Sequence, residues 1–246
     1  MATFTSFLDI LPDPNNPIGD GGQALATGSG GVAGPGFSKV SFTSESPTQV
    51  SRTNSGRVIT RRMASQRWDI NITYNPMTRD QFEPVFNFLL MRGRLNPFYV
   101  QLPNQYTGRV SAFATHTASN TPTAATALNQ GAIFMLQAGH HATQTTNPKP
   151  GDMFTIVDTN DTLHTKAYRV TRVMIRDTHH TTHSNPATTE RIVYFNPPLQ
   201  KAVTSGSGID YYQPLFRVIM KGDVQQYSLG TNNLYSFSLN LEEAQA

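Results

Sequence analysis

Histidines are the side chains of this sequence with the clearest capacity for chemistry. All seven lie between His116 and His183, in a segment rich in threonine and asparagine. His179-His180 and His183 place three imidazoles within one short stretch, and His164 or a carboxylate could complete a zinc or nickel site. This stretch is a turn-rich loop between expected strands, where nothing fixes the rings. The sequence therefore favours an exposed polar loop over a metal centre.

A second candidate cation site is Asp158-Thr159-Asn160-Asp161. It lacks the glycine and the distal glutamate of a calcium-binding loop. Short runs of Asp, Asn and Thr are typical of tight turns. We expect no metal ligand in this chain.

The usual catalytic motifs are missing from the sequence. It contains no Gly-x-Ser-x-Gly elbow, no His-Glu-x-x-His pair and no phosphate-binding glycine loop after a strand. The absence of cysteine excludes thiolate metal sites, cysteine nucleophiles and iron–sulfur clusters. The sequence therefore predicts no enzyme, no catalytic residue and no cofactor.

Arginines form the largest concentration of charge. They could contact DNA, form ion pairs with a neighbouring subunit, or lie on a solvated strand face. We favour ion pairs, with Asp69, Asp80, Glu83, Glu242 or Glu243 of a neighbour as partners. The expected subunit-interface residues are Arg52, Arg57, Arg61, Arg62, Arg67, Glu242 and Glu243.

Composition indicates a mainly β protein. Only 14% of the residues are charged, the formal net charge is +3, and 18 glycines and 16 prolines supply turns. The sequence has no apolar run long enough for a transmembrane helix, so we expect no membrane insertion. Its first residues do not resemble a secretory signal.

Residues 37–103 and 209–246 are predicted to form one β domain with a flanking helix. Trp68, Ile70, Ile72 and Tyr74 alternate along one strand, and a helical stripe follows Pro76. Thr78 with Gln81 or Asp80 with Glu83 could cap that helix, and Pro84 favours the later start. The expected core residues are Trp68, Ile70, Ile72, Phe82, Phe86, Leu89, Phe98 and Phe237.

Two further regions flank or interrupt this domain. Residues 104–208 contain several short strands and are predicted to form an inserted small β-barrel. Residues 1–36 are predicted to be a flexible arm, which is either disordered or docks its apolar tip on a neighbouring subunit. That tip contains Phe4, Phe7 and Leu8.

Several segments together resemble the core of tailed-phage distal tail proteins, which are relatives of the tail tube. They are Ser55-Gly56, Gln66-Arg67-Trp68, Met77 to Phe82, Met91-Arg92-Gly93, Asn96 to Val100, and Tyr235 to Glu243. Gly151-Asp152-Met153-Phe154, Tyr168 to Thr171 and Asn196-Pro197-Pro198-Leu199 are similar to a barrel inserted in such proteins.

The resemblance implies a tail-tube-like β-sandwich or barrel with one flanking helix, interrupted by an OB-like barrel. It implies a ring, with six copies, that joins the tail tube protein to tip, hub and fibre proteins around a channel for DNA in transit. The protein would lie in the virion, and in the host cytoplasm during assembly.

Two alternatives remain open. The chain could be a tail-tube subunit, or its barrel could bind carbohydrate or a receptor at a tail tip. Aromatic side chains on an open face would then form the site. The candidates are Tyr168, Tyr194, Phe195, Tyr211 and Tyr212.

Overall fold

The computed structural model describes residues 9–14, 34–62, 66–102, 122–138, 148–158, 164–174, 190–211, 214–222 and 226–244. The chain divides into two compact units. One contains Met1–Gln101 and Arg217–Ala244, and the other contains Leu102–Phe216 and Gln245–Ala246. The elements in chain order are β1 Phe37–Glu45, β2 Thr48–Arg52, β3 Val58–Arg62, β4 Arg67–Tyr74, α1 Arg79–Arg92, β5 Phe98–Gln101, β6 Thr123–Ala124, β7 Phe134–Ala138, β8 Met153–Val157, β9 Ala167–Met174, β10 Arg191–Asn196, β11 Gly208–Asp210, β12 Leu215–Met220, β13 Tyr227–Leu229 and β14 Tyr235–Glu243.

The prediction of a mainly β protein is confirmed. The second domain boundary differs from the expected one, because β11 pairs with β6 and β8 of the barrel. The chain therefore stays in the barrel through Asp210, and Tyr211 still packs in the barrel core; the return to the first unit lies near Arg217. Cross-strand hydrogen bonds, which sequence spacing does not reveal, decide the membership of such a short strand.

The first unit is built on a sheet in the order β1-β4-β14-β12-β5, and β13 also pairs with β14. Antiparallel pairing places Ile70 opposite both Phe42 and Leu241. Alternate residues of β4 and β14 are buried, as the alternating sequence pattern predicts. This face of the sheet forms the core of the unit.

Helix α1 begins earlier than Pro84 suggested. Thr78 is its N-cap, the Thr78 N–H lies 3.4 Å from Gln81 Oε1, and Pro84 lies inside the helix. The start is fixed because Met77 exchanges two backbone hydrogen bonds of 2.9 Å with Tyr235 immediately before the helix. The helix ends at Gly93, whose positive φ of 56° is difficult for other residues.

Most of the expected core residues are buried in the first unit. Phe86 is the exception: it is half-buried, while Phe88, absent from the expected core, is fully buried. Relative to the expected orientation, the helix is rotated about its axis so that Phe82, Val85 and Leu89 share the buried face with Phe88 and not with Phe86. The buried members of the expected set are Trp68, Ile70, Ile72, Phe82, Leu89, Phe98 and Phe237.

The N-terminal segment is not a free arm where the structure describes it. Ile10 forms a parallel bridge with Tyr99 on the edge of β5, and Leu11 is fully buried. Asp9 forms an ion pair with Arg92, and Gly34 donates a backbone hydrogen bond of 3.1 Å to Asp13. A buried leucine and backbone pairing offset the ordering entropy here. The apolar tip, Phe4 to Leu8, lies outside the described residues.

The second unit contains a closed antiparallel barrel in the order β10-β7-β6-β11-β8-β9. The predicted small β-barrel is therefore present, with six described strands where an OB-fold has five. Met135, Phe154, Tyr168 and Phe195 are among the side chains that fill its interior. No helix in the described parts of the chain is long and apolar enough to span a lipid bilayer.

Candidate assembly surface

The most exposed regular element is the β2–β3 hairpin, whose strands pair only with each other among the described strands. Five residue pairs join them, from Thr48 opposite Arg62 to Arg52 opposite Val58. Every residue from 43 to 61 is exposed. An isolated two-stranded hairpin is marginally stable in water, so this one is suited to contact with another molecule.

The tip of the hairpin is organised by Thr53. Its N–H donates to the Arg57 carbonyl at 3.0 Å, and its Oγ1 accepts from the Arg57 N–H at 3.1 Å. The Gly56 N–H donates to the Thr53 carbonyl at 2.9 Å, with a φ of 79° that glycine adopts without strain. The turn therefore has a defined geometry that orients the two strands.

Apolar side chains lie on both faces of the hairpin. Residues directly opposite in an antiparallel pair share a face, so Val50 and Val58 lie on one face and Ile59 lies on the other. Their exposed fractions are 59% for Val50, 50% for Val58 and 53% for Ile59. The interpretation of the sequence missed these residues. A signal for them was available in the sequence. Val58 and Ile59 are adjacent in a predicted strand, so they point to opposite faces and cannot both lie on one buried face.

Four of the expected interface arginines belong to this hairpin. Arg52, Arg57 and Arg61 are exposed, and Arg62 pairs with Thr48 in the register; its side chain lies outside the described part. Arg67, in contrast, begins β4 and lies 3.9 Å from Glu242 of the same chain. The structure thus groups Arg52, Arg57, Arg61 and Arg62 and places Arg67 elsewhere.

The expected acidic partners are largely engaged within their own chain. The Asp69 carboxylate binds Lys221 Nζ at 2.7 Å, and this hydrogen bond raises the pKa of Lys221. Glu83 forms an ion pair with Arg79 at 2.5 Å, and hydrogen bonding to Glu83 raises the pKa of Arg79. These carboxylates already have cationic partners without a neighbouring subunit.

The position of Glu243 differs most from the predicted interface. Glu243 is buried, and its Oε2 accepts a hydrogen bond of 3.1 Å from the Trp68 backbone N–H. The alternation of β14 directs Phe237, Leu239, Leu241 and Glu243 to the buried face. The Glu243 carboxylate is thus held inside its own unit, which differs from the exposed position expected of an interface residue.

The solvent-facing side of the first sheet carries a shallow polar groove of about 200 Å³. The Asn71 amide donates to Asn240 Oδ1 across two neighbouring strands, and the Asp69–Lys221 pair lies beside it. The groove is lined by Ser41, Thr43, Asp69, Ile70, Asn71, Lys221, Asn240 and Leu241. Short polar side chains and paired charges therefore cover this face.

The barrel does not assemble the expected aromatic site. Tyr168, Phe195 and Tyr211 fill its core, whereas Tyr212 lies outside the described residues. Tyr194 is half-buried and lies in a row with Phe134, at 5.5 Å between ring centroids, and Arg172, whose Cζ is 5.6 Å from the Tyr194 ring. This row is the remaining candidate for ligand binding on the barrel.

The candidate metal residues do not form a metal site within the described parts of the chain. His164 is buried, and its Nε2 lies 2.9 Å from the Tyr168 hydroxyl. Asp158 accepts hydrogen bonds from the N–H and Oγ1 of Thr204, at 3.2 and 3.1 Å. No group of three His, Asp or Glu side chains suited to a metal occurs there. The stretch His179 to His183 lies outside the described residues.

No protein-family model matches the chain, and no curated protein matches it significantly.

Proposed function

We propose that this chain is a structural protein of a bacteriophage tail that assembles into a closed ring at its distal end. The observation that carries the proposal is the long open edge of β1. This nine-residue strand pairs only with β4 among the described strands. No described strand lies on its outer side, and a strand edge of this kind can pair with another chain. Closed cyclic symmetry satisfies such edges in every copy.

The other edge of the sheet differs from β1. The segment around Ile10 covers β5, with hydrogen bonds from Leu11 N–H to the Tyr99 carbonyl at 2.8 Å and from Tyr99 N–H to the Asp9 carbonyl at 2.6 Å. Growth of the sheet by adding strands at β5 is therefore blocked by the chain itself. In a ring of more than two copies, the segment that pairs with β1 must therefore come from a part of the neighbouring copy other than β5.

The polar groove face supports a position beside a channel for DNA. A channel wall should not hold a polyanion, because each phosphate contact would slow its passage. On this face Asp69 neutralises Lys221, and Glu242 lies 3.9 Å from Arg67. In the proposed ring this face lines the channel, and the β2–β3 hairpin extends towards tube, tip or fibre proteins. The role is one of assembly, without a catalytic step.

The test is the mass of the purified full-length protein by light scattering, with negative-stain imaging of the same sample. We expect several copies of the 27.1 kDa chain in a ring with a central hole. A monomer that forms no ring would contradict the proposal.

Two proline variants test the β1 edge. Consecutive residues of a strand direct their N–H groups to opposite sides. Of the substitutions Thr43→Pro and Ser44→Pro, one therefore removes a hydrogen bond to β4, and the other removes an N–H group from the open edge of β1. The edge-facing variant should keep its melting temperature and lose the ring. The other variant should lose stability, and rings of unchanged mass in both would exclude β1 as the contact.

A carbohydrate-binding role is a second candidate, favoured by the row of Arg172, Tyr194 and Phe134 on the barrel. Aromatic rings can pack against sugar rings, and an arginine can bind acidic groups. A glycan array probed with the full-length protein tests this role. Binding that Tyr194→Ala abolishes and Tyr227→Ala retains would support it, since Tyr227 lies on β13 of the other unit.

A further inference from the structure

The side chains of the β2–β3 hairpin indicate which kind of partner it fits. We propose that the hairpin binds an acidic, partly apolar surface of a different protein, and not a second copy of this chain. The inference rests on the proposed assembly role and gives the hairpin a task separate from ring closure at β1.

The charged residues of the hairpin are all positive. Residues 48–62 contain four arginines and no aspartate or glutamate. Arg52 shares a face with Val58, while Arg61 shares the opposite face with Gln49. Arginine binds carboxylates through two parallel hydrogen bonds, so each face presents a guanidinium suited to an acidic partner.

A second copy of the chain is a poor partner for these arginines. In the described parts, Asp9 is paired with Arg92, Glu83 with Arg79 and Asp69 with Lys221. Glu242 lies near Arg67, and Glu243 is buried. These five carboxylates would have to leave existing contacts to bind the hairpin, and contact between two hairpins would bring like charges together. Glu45 and Asp80 are exposed, so docking of a second copy through them is an outcome that the mass measurement below detects.

A nucleic acid is also a poor match. Val50, Val58 and Ile59 expose half or more of their surface on both faces of the hairpin. A phosphate backbone offers these side chains no apolar contact, whereas a polypeptide can supply carboxylates and apolar groups together. Burial of the three aliphatic side chains would contribute to binding independently of salt.

Binding of an acidic polypeptide probe to the full-length protein tests this inference. The probe is a fluorescent random copolymer of glutamate and tyrosine, measured by anisotropy beside polyglutamate and duplex DNA of matched charge. We expect the copolymer to bind more tightly than either comparison ligand. Its affinity should decrease with salt but remain above that of polyglutamate.

Two hairpin variants separate the charge from the apolar contribution. The double substitution Arg52→Gln and Arg61→Gln should weaken the binding of all three ligands. The double substitution Val50→Ser and Ile59→Ser should weaken the copolymer by about tenfold and leave polyglutamate unchanged. Arg169→Gln, an exposed arginine on the barrel strand β9, is the matched control and should change nothing.

Three results would overturn the inference. Equal or tighter binding of DNA would assign the hairpin to nucleic acid. A hairpin variant that lowers the mass of the ring would assign it to contact between copies. Equal binding of copolymer and polyglutamate would exclude an apolar contribution. Light scattering of the wild-type protein reports ring formation separately, so failure of the ring proposal is distinguishable from failure of this one.

Discussion

The backbone N–H of Trp68 donates a hydrogen bond of 3.1 Å to Glu243 Oε2, across 175 positions of sequence. The bond joins the beginning of β4 to the end of β14, in the middle of the first sheet. The Trp68 ring stacks on Phe42 of β1 with centroids 4.5 Å apart. Three strands that are distant in the sequence therefore meet at one buried residue.

Loss of the Glu243 carboxylate should destabilise the first unit. Its removal leaves the Trp68 N–H without this acceptor, and an unsatisfied buried donor costs about 1–3 kcal/mol, so Glu243→Ala should lower the free energy of unfolding by about that amount. The neighbouring Glu242→Ala removes a partly exposed ion pair and should change it by less than about 1 kcal/mol. Urea denaturation of both variants measures the difference. Equal losses would show that the Trp68 hydrogen bond is not the cause.

Aromatic truncations should follow the burial found in the structure. Trp68→Ala and Phe88→Ala should each cost about 3–5 kcal/mol, because both side chains are buried in the core. Phe86→Ala should cost clearly less, about 1–2 kcal/mol, because Phe86 is half-buried beside Phe82 and Tyr227. Denaturation midpoints compare the three variants. A larger loss for Phe86 than for Phe88 would contradict the orientation of α1.

Stability should decrease at alkaline pH through Tyr211. Burial raises the pKa of its hydroxyl, which donates to Gln137 Oε1 at 2.9 Å. Above pH about 10 the unfolded chain loses this proton while the folded protein keeps it. The contribution of the Tyr211 hydroxyl to folding stability is therefore complete below that pH and is lost as the pH rises above it. Melting temperatures across this range measure the effect.

Tyr211→Phe should reduce the alkaline loss of stability. It should also cost about 1 kcal/mol at neutral pH, because the donor to Gln137 is gone. Tyr194→Phe, on the outer side of the barrel, should leave the neutral melting temperature unchanged. An alkaline loss of equal size in Tyr211→Phe would assign that loss to other groups.

The N-terminal segment should be linked to β5 of its own chain by an engineered disulfide. The chain contains no cysteine, and Ile10 and Tyr99 form a direct bridge, so Ile10→Cys with Tyr99→Cys should oxidise within one chain. The bond should raise the free energy of unfolding by about 2–4 kcal/mol. Non-reducing electrophoresis identifies the product, and disulfide-linked dimers would indicate exchange of the segment between copies.

A glycine pair provides the control for this disulfide. A Cβ on Gly34 would lie 2.6 Å from the Asp13 backbone nitrogen, so Gly34→Ala should displace the segment and lower the yield of the bond. A Cβ on Gly36 would meet only Pro14 Cγ at 3.7 Å, so Gly36→Ala should leave the yield unchanged. Equal yields would argue against this packing.

Local sequence pattern determined most of the longer elements of this protein. Alternation in β4 and β14, the apolar stripe of α1 and the short strands of the barrel are properties of neighbouring residues, so the mainly β class and most of the core could be predicted. The arginine cluster was also visible as a concentration of charge, although the strand Thr48–Arg52 and its pairing into a hairpin were not predicted. The length and apolar content of α1 did not specify its rotation, because Phe86 and Phe88 suit the pattern equally well.

The tertiary structure decided which of these residues remain available for contact. Burial of Glu243, the Asp69–Lys221 pair and the cover on β5 all depend on residues that are far apart in the sequence. Local spacing carries no information on such pairs, because they form only when distant strands adopt one register. The sequence alone therefore identified the charged groups, and the fold determined which were already neutralised and which, on the β2–β3 hairpin, face solvent.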